Sequence, residues 1–311
     1  MHVPDCVAKY TTFASEIKFL KLGRKESLDR RKSIFLIKQS INISIKHHVF
    51  FFCFRKKNMF YLQKGQDLSD VPKKTENLIC YWNSLTSLEG ISTLHNLREF
   101  YCSLNLLTSL EGISTLHNLQ ELDVSGNSLT SLEGIYTLHN LRKLYCSSNS
   151  LTSLKGISTL VNLQYLDCSS NSLTSLKGIS TLVNLRELYC YSNLLTSLEG
   201  ISTLHNLQEL DVSGNSLTSL EGISTLHNLQ ELFCSSNSLR SFKHIPENVN
   251  FFRVRSNPIE NIYETQNSPE IIHELSGTSK FLKLTRKERL NLMSYVKFTT
   301  QEHLFKLYLF F

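Results

Sequence analysis

"LTSLEGISTLHNLQELDVSGN" occupies residues 107–127 and returns letter for letter at 195–215. Its apolar positions are Leu107, Leu110, Ile113, Leu116, Leu119, Leu122 and Val124, spaced by three until a final step of two. The step of two suits a short strand, in which alternate side chains share a face. The steps of three suit 3₁₀ turns better than the 3.6 period of an α-helix. Each phrase therefore predicts one coil, a strand on one side and tight arcs on the other. One coil cannot bury its apolar edge alone, whereas stacked coils share a continuous core.

The period is strict. Asn83, Asn105, Asn127, Asn149, Asn171, Asn193, Asn215 and Asn237 recur at intervals of 22, and Asn257 follows 20 residues later. Gly90, Gly112, Gly134, Gly156, Gly178, Gly200 and Gly222 keep the same rhythm. An inward asparagine can satisfy backbone groups where the strand turns away, or stacked asparagines can bond to one another in a ladder. A buried amide left unpaired costs roughly 1–3 kcal/mol, so residue type and spacing must both hold.

The run "LQELDVSGNSLTSL" resembles the leucine-rich repeat pattern L-x-x-L-x-L-x-x-N-x-L, and the 22-residue length resembles the short repeats of SDS22-type proteins and bacterial internalins. The wording "LxCSSNSLTSLKGI" is similar to leucine-rich repeat proteins of giant amoeba-infecting DNA viruses, and the AT-rich compositional bias agrees. The likeness covers about residues 75–262. One departure is that the sixth motif position is mostly Cys, where the family usually has Leu or Ile. The resemblance implies an α/β repeat solenoid, a horseshoe or arc with parallel strands on the concave face and 3₁₀ or extended segments on the convex face. About nine strands at ~4.8 Å spacing make a sheet on the order of 40 Å long. In such proteins the exposed strand face is the usual binding surface, so the expected partner is another protein, its identity open. SDS22-type phosphatase regulation, or a structural or virion-packaged role, are the alternatives.

Charge divides the 311 residues unevenly. Residues 1–74 carry 16 Lys/Arg and 6 Asp/Glu, residues 75–262 carry 10 and 16, and residues 263–311 carry 7 and 5. The expected organisation is a basic N-terminal arm over 1–74, an acidic solenoid over 75–262 and a C-terminal cap over 263–311. The apolar clusters "VFFFCF" at 49–54 and "LYLFF" at 307–311 fall short of the ~18–20 residues that span a bilayer. With no apolar run before a small-residue cleavage site near Met1, the reading is soluble and intracellular, not secreted; for a viral protein that means host cytoplasm or virion. An internalin-like adhesin would need an export signal.

Several columns invite chemistry. Cys80, Cys102, Cys146, Cys168, Cys190 and Cys234 all stand three residues before the repeat asparagine, but Val124, Val212 and Val254 fill the same position. A residue exchangeable with valine behaves as a small hydrophobe, which favours core packing over disulfides or metal. His95, His117, His139, His205 and His227 form a second column, interrupted by Val161 and Val183. Zinc needs three or four ligands converging on one point, which an evenly spaced row does not supply, so no metal is expected. The column Glu89, Glu111, Glu133, Lys155, Lys177, Glu199 and Glu221 reads as a solvated edge.

The strand face is the candidate site. Four residues before each asparagine come Ile79, Tyr101, Asp123, Tyr145, Asp167, Tyr189, Asp211 and Phe233, alternating aromatic and carboxylate from Tyr101 on. Arg98, Arg142 and Arg186 accompany the tyrosines, and Tyr191 adds another ring. Tyr and Arg are enriched at interface hot spots, so these eleven residues, Ile79 excepted, are the expected partner-binding set. The serines have no oriented base and the carboxylates repeat instead of forming one distinctive pair, so no enzyme activity, cofactor or small-molecule substrate is expected. The acidic surroundings disfavour nucleic acid on the solenoid, and no membrane partner is expected.

The flanks share a motif: "KFLKLGRKESL" at 18–28 matches "KFLKLTRKERL" at 280–290 in nine of eleven positions. The later copy, with Leu284, Leu290, Leu292, Met293 and Val296, predicts a short amphipathic helix capping the last coil. The earlier copy suggests that residues 1 to about 58 descend from the tail of an upstream relative, with Met59 an ancestral or actual start; the alternative is a basic N-terminal helix with its own role, for instance contacting anionic membranes or nucleic acid.

Overall fold

The computed structural model describes residues 58–258, apart from 242, 243 and 247. The basic stretch before them, the expected capping helix and both copies of the flanking motif lie outside the described residues. Ten three-residue strands form a single open, parallel sheet in chain order: β1 (Met59–Tyr61), β2 (Asn77–Ile79), β3 (Glu99–Tyr101), β4 (Glu121–Asp123), β5 (Lys143–Tyr145), β6 (Tyr165–Asp167), β7 (Glu187–Tyr189), β8 (Glu209–Asp211), β9 (Glu231–Phe233) and β10 (Phe251–Arg253). Each strand pairs one coil on, so Glu99 lies opposite Glu121, then Lys143, then Tyr165.

The sheet starts before residue 75. Met59 pairs with Asn77 and Tyr61 with Ile79, which makes the first coil four residues shorter than the period. That coil has Gly65, at φ 86°, where later coils carry asparagine, which is why the asparagine count alone does not reveal it.

Opposite the strands, 3₁₀ turns run from Ile91–Thr93 to Ile223–Thr225, one per coil. Each begins after a glycine with φ between 86° and 97°, a left-handed conformation that a side chain resists. At Gly90 the restriction is doubled, because a Cβ there would meet the Ser69 nitrogen at 2.9 Å. The leucines and isoleucines at the three-residue spacing point inward; Leu107, Ile113, Leu116, Leu119, Leu122 and Val124 are wholly buried.

Three polar ladders lock coil to coil. The repeat asparagines do not stack amide on amide; each bridges two backbones instead. Asn127 Nδ2 donates to the Val124 carbonyl of its own coil and the Cys102 carbonyl of the previous one, both at 3.0 Å, while its Oδ1 accepts from Leu107 N at 3.0 Å. Asn193 does the same with Cys190, Cys168 and Leu173. A threonine ladder runs along the back: Thr137 Oγ1 donates to the Ser114 carbonyl at 2.8 Å, and Thr159 to that of Tyr136 at 2.8 Å. A second asparagine ladder joins the histidine column, with Asn118 Nδ2 donating to the His95 carbonyl at 2.9 Å and Asn184 to that of Val161 at 2.9 Å. The ladder uses the carbonyl at this position, which histidine and valine both offer; the rings of His139 and His205 also reach the Thr159 and Thr225 carbonyls at 3.5 and 3.3 Å.

The six cysteines are buried, free and in line with Val124, Val212 and Val254. Burial pushes the thiols of Cys80, Cys146, Cys168, Cys190 and Cys234 up, leaving them protonated hydrophobes. Among the described residues no group of three or more His, Cys, Asp or Glu side chains could hold a metal ion. No helix there is long and apolar enough to cross a membrane.

Candidate interaction face

Alternation within each strand builds the site. The middle residue, such as Leu122 or Leu144, enters the core, and the residues on either side project from the sheet. Parallel pairing then aligns them into rows. One row reads Tyr101, Asp123, Tyr145, Asp167, Tyr189, Asp211 and Phe233; the next reads Glu99, Glu121, Lys143, Tyr165, Glu187, Glu209 and Glu231.

The candidate residues are not equally accessible. Tyr189, Tyr191, Asp123, Asp211 and Phe233 are half-buried, and Arg98, Arg142 and Arg186 are exposed at the rim. Tyr101, Tyr145 and Asp167 differ from expectation: they project from the strand face yet are 6%, 7% and 4% exposed. Long side chains in neighbouring rows cover one another. Tyr145 packs on Tyr165 with ring centroids 4.6 Å apart, and Tyr165 packs on Tyr189 at 5.4 Å, both pairs tilted. Such pairs contribute about 0.5–1.5 kcal/mol beyond area burial.

Tyr165 is the residue that sequence reading missed. It occupies a position where sister coils hold glutamate, and that break in the column was the available signal. It joins the tyrosines of β5 and β7 into one aromatic cluster across three strands. Carboxylates surround the cluster: the Tyr189 hydroxyl donates to Glu187 Oε2 at 3.1 Å, as that of Tyr101 does to Glu99 Oε2 at 3.1 Å. Burial first, then the nearby carboxylates, pushes the phenols of Tyr145, Tyr165 and Tyr189 up, so they stay neutral. Tyr191 is pushed up to about 12 by burial and by Asp167 and Asp211.

The aspartates turn the chain at the strand ends. Asp123, Asp167 and Asp211 Oδ1 accept from the backbone of Ser125, Ser169 and Ser213 at 2.9, 3.0 and 2.9 Å. Burial raises the Asp167 and Asp211 carboxyls, and these hydrogen bonds partly offset it. At the last coils, Phe233 packs on Phe251 at 5.4 Å, and the Arg253 guanidinium lies 5.1 Å from the centre of the Phe251 ring.

The coil geometry is that of a leucine-rich repeat solenoid. A family model described as Leucine Rich repeats (2 copies) matches residues 117–159, 161–203 and 205–247. Among solved structures, the functional domain of InlJ from Listeria monocytogenes, which includes a cysteine ladder, is 28% identical with a TM-score of 0.58. The match covers 68% of this chain and 44% of that one, so the chain spans less than half of the InlJ domain's length. Internalin C2 of the same organism is 25% identical, TM-score 0.54, over 60% of this chain and 81% of that one. A leucine-rich repeat protein of Leptospira interrogans is 25% identical, TM-score 0.52, over 73% of each chain. No curated protein matches by sequence.

Proposed function

We propose that the protein is a non-catalytic protein-interaction module that contacts its partner through the strand face, centred on β5–β7. The observation that carries this reading is the Tyr145–Tyr165–Tyr189 cluster, three packed rings across adjacent strands in the middle of the sheet, of which Tyr165 and Tyr189 are half-buried. Tyrosines with a polar rim provide large contact area at low conformational cost. The likeness to internalin folds supports the same class of role.

The test uses residues that the fold already accepts. Sister coils hold Glu at the position of Tyr165 and Asp at that of Tyr189, so Tyr165→Glu with Tyr189→Asp should preserve the coil. Affinity capture with the full chain should recover a partner that the double variant loses, while circular dichroism stays unchanged. A variant that retains its partner would remove the strand face from the interaction.

A further inference from the structure

The face opposite the strands changes character in two adjacent coils. Its outward column Glu89, Glu111 and Glu133 is interrupted by Lys155 and Lys177 and resumes with Glu199 and Glu221, all of them exposed. In the same two coils the histidine column gives way to Val161 and Val183, which are 46% and 47% exposed. Tyr136, 52% exposed, stands one coil earlier, where the coils on either side hold Ser114 and Ser158. Coil stacking does not call for these side chains. It takes only the carbonyls of Tyr136 and Val161, which accept from Thr159 and Asn184. The ion pairs Arg98–Glu76 and Lys143–Glu121 lie elsewhere, and among the described residues none involves Lys155 or Lys177.

The order of charges is self-complementary. A two-fold axis running across the coils, midway between those of Glu133 and Lys155, lays a second copy antiparallel on this face and keeps each column against itself. Glu133 then lies opposite Lys155 of the second copy, and Glu111 opposite Lys177 of the second copy. By symmetry each pair occurs twice. The same operation sets Val161 against His139 and Val183 against His117. Tyr136 and its symmetry mate straddle the axis one coil apart, at the centre of the contact, where aromatic side chains contribute most. An axis between Lys177 and Glu199 pairs the charges as well, but leaves both Tyr136 rings away from the centre. The tyrosine thus selects the first register.

We propose that this back face binds a second copy of the chain, in an antiparallel dimer centred on Tyr136 and held by the reciprocal pairs Glu133–Lys155 and Glu111–Lys177. A two-fold contact uses the same patch on both copies and closes on itself, so it gives a dimer and no longer assembly. The strand faces stay free and point outward on opposite sides. The inference is therefore independent of the contact surface proposed above, and adds that the module presents it twice, which makes binding to a repeated or dimeric partner bivalent.

Sedimentation of the full chain over a dilution series tests this. At low salt it should show a monomer–dimer equilibrium that weakens as salt rises toward about 0.15 M. Tyr136→Ser, Lys155→Glu/Lys177→Glu and Glu111→Lys/Glu133→Lys should each weaken dimerisation about tenfold. Every one of these changes installs a residue that a sister coil already carries at that position, and circular dichroism checks that the variants fold. An equal mixture of the two charge variants should recover the parent's dimerisation, because one chain then offers carboxylates and the other ammonium groups at all four facing positions. Glu199→Lys/Glu221→Lys alters charge equally outside the contact and should dimerise at least as well as the parent; a loss there would overturn the placement of the axis. A monomeric parent chain, a dimer indifferent to the substitutions, or no recovery in the mixture would overturn the proposal. The strand face is tested separately, since Tyr165→Glu with Tyr189→Asp should dimerise as the parent does whether or not it keeps its partner.

Discussion

Asn105–Ile135 and Asn193–Ile223 are the same sequence, yet they present different surfaces. Inside, the copies are equivalent: Asn127 and Asn215 each donate to two carbonyls at 3.0 Å and accept from a leucine N–H at 3.0 Å. Outside, Glu121 faces Lys143, whereas Glu209 lies between Glu187 and Glu231. Gly126 lies beneath Leu104, whereas Gly214 lies beside Ser192. A coil thus fixes its own architecture, but its neighbours decide what its outward residues can do. In a solenoid every coil meets only the adjacent ones, so recognition is written in the order of the coils.

The largest expected effect tests the shared interior. Asn127→Ala and Asn215→Ala each strand one N–H and two carbonyls, a loss on the order of 2–4 kcal/mol in denaturant unfolding. The two losses should agree within about 0.5 kcal/mol, since the sites are distant and their partners equivalent. A difference above about 1 kcal/mol would show that neighbouring coils shape the interior as well.

Next comes the glycine pair. Gly126 and Gly214 both have φ 64°, so alanine at either carries a left-handed penalty of about 1–2 kcal/mol. At 126 the added Cβ also meets Leu104 Cδ2 at 2.7 Å, whereas at 214 the nearest atom is Ser192 Oγ at 3.4 Å. Gly126→Ala should therefore destabilise more than Gly214→Ala. Adding Leu104→Ser recreates the neighbour of the second copy and should bring the two values together; a persistent gap would place its cause elsewhere.

The same contrast explains what the sequence disclosed. Coil stacking was legible because burial imposes period and residue type at once, as at Ile113, Leu116 and Gly112. The cysteine and histidine columns could be interpreted through their valine replacements, which mark positions where the special side chain is not needed. The inter-strand asparagine contacts were open between two readings, and the backbone geometry chose the bridge. The first strand escaped because Gly65 replaces its asparagine. On the strand face, sequence placed Tyr101, Tyr145 and Asp167 on the correct side of the sheet but could not assign their exposure. That depends on lateral contacts between residues one coil apart, such as Tyr145 with Tyr165. The original set of tyrosines therefore mixes buried and accessible rings, and Tyr165 with Tyr189 make the cleaner pair to alter.

A smaller effect, opposite in sign between the copies, comes from the glutamates. Glu121→Gln loses its contact with Lys143 and should destabilise slightly, whereas Glu209→Gln removes repulsion from both sides and should stabilise. Each change is about 0.2–1 kcal/mol, measurable as paired shifts in unfolding midpoint. Shifts of the same sign would mean that the row's charge pattern has no influence on the folded state.

The smallest effect is a pH dependence contributed by the second copy. Burial raises the Glu209 and Asp211 carboxyls; Glu231 and Glu187 add to the shift of Glu209, and Asp167 to that of Asp211. Against this act the Ser213 N–H and hydroxyl on Asp211. A carboxyl raised on folding binds its proton more tightly in the native state, so the folded chain holds more protons than the unfolded one between the two values. Stability contributed by these groups is then present below the ordinary carboxylate range, near pH 4, and declines as pH rises through their higher folded values. Glu209→Gln with Asp211→Asn removes that decline while keeping an amide oxygen to accept the Ser213 N–H. Relative to the parent, the double variant should gain stability as pH rises from about 4 to 7. Glu121→Gln with Asp123→Asn is the matched control, because Lys143 faces Glu121 there. Equal gains in both double variants would show that the second copy's like-charged neighbours impose no pH dependence of their own.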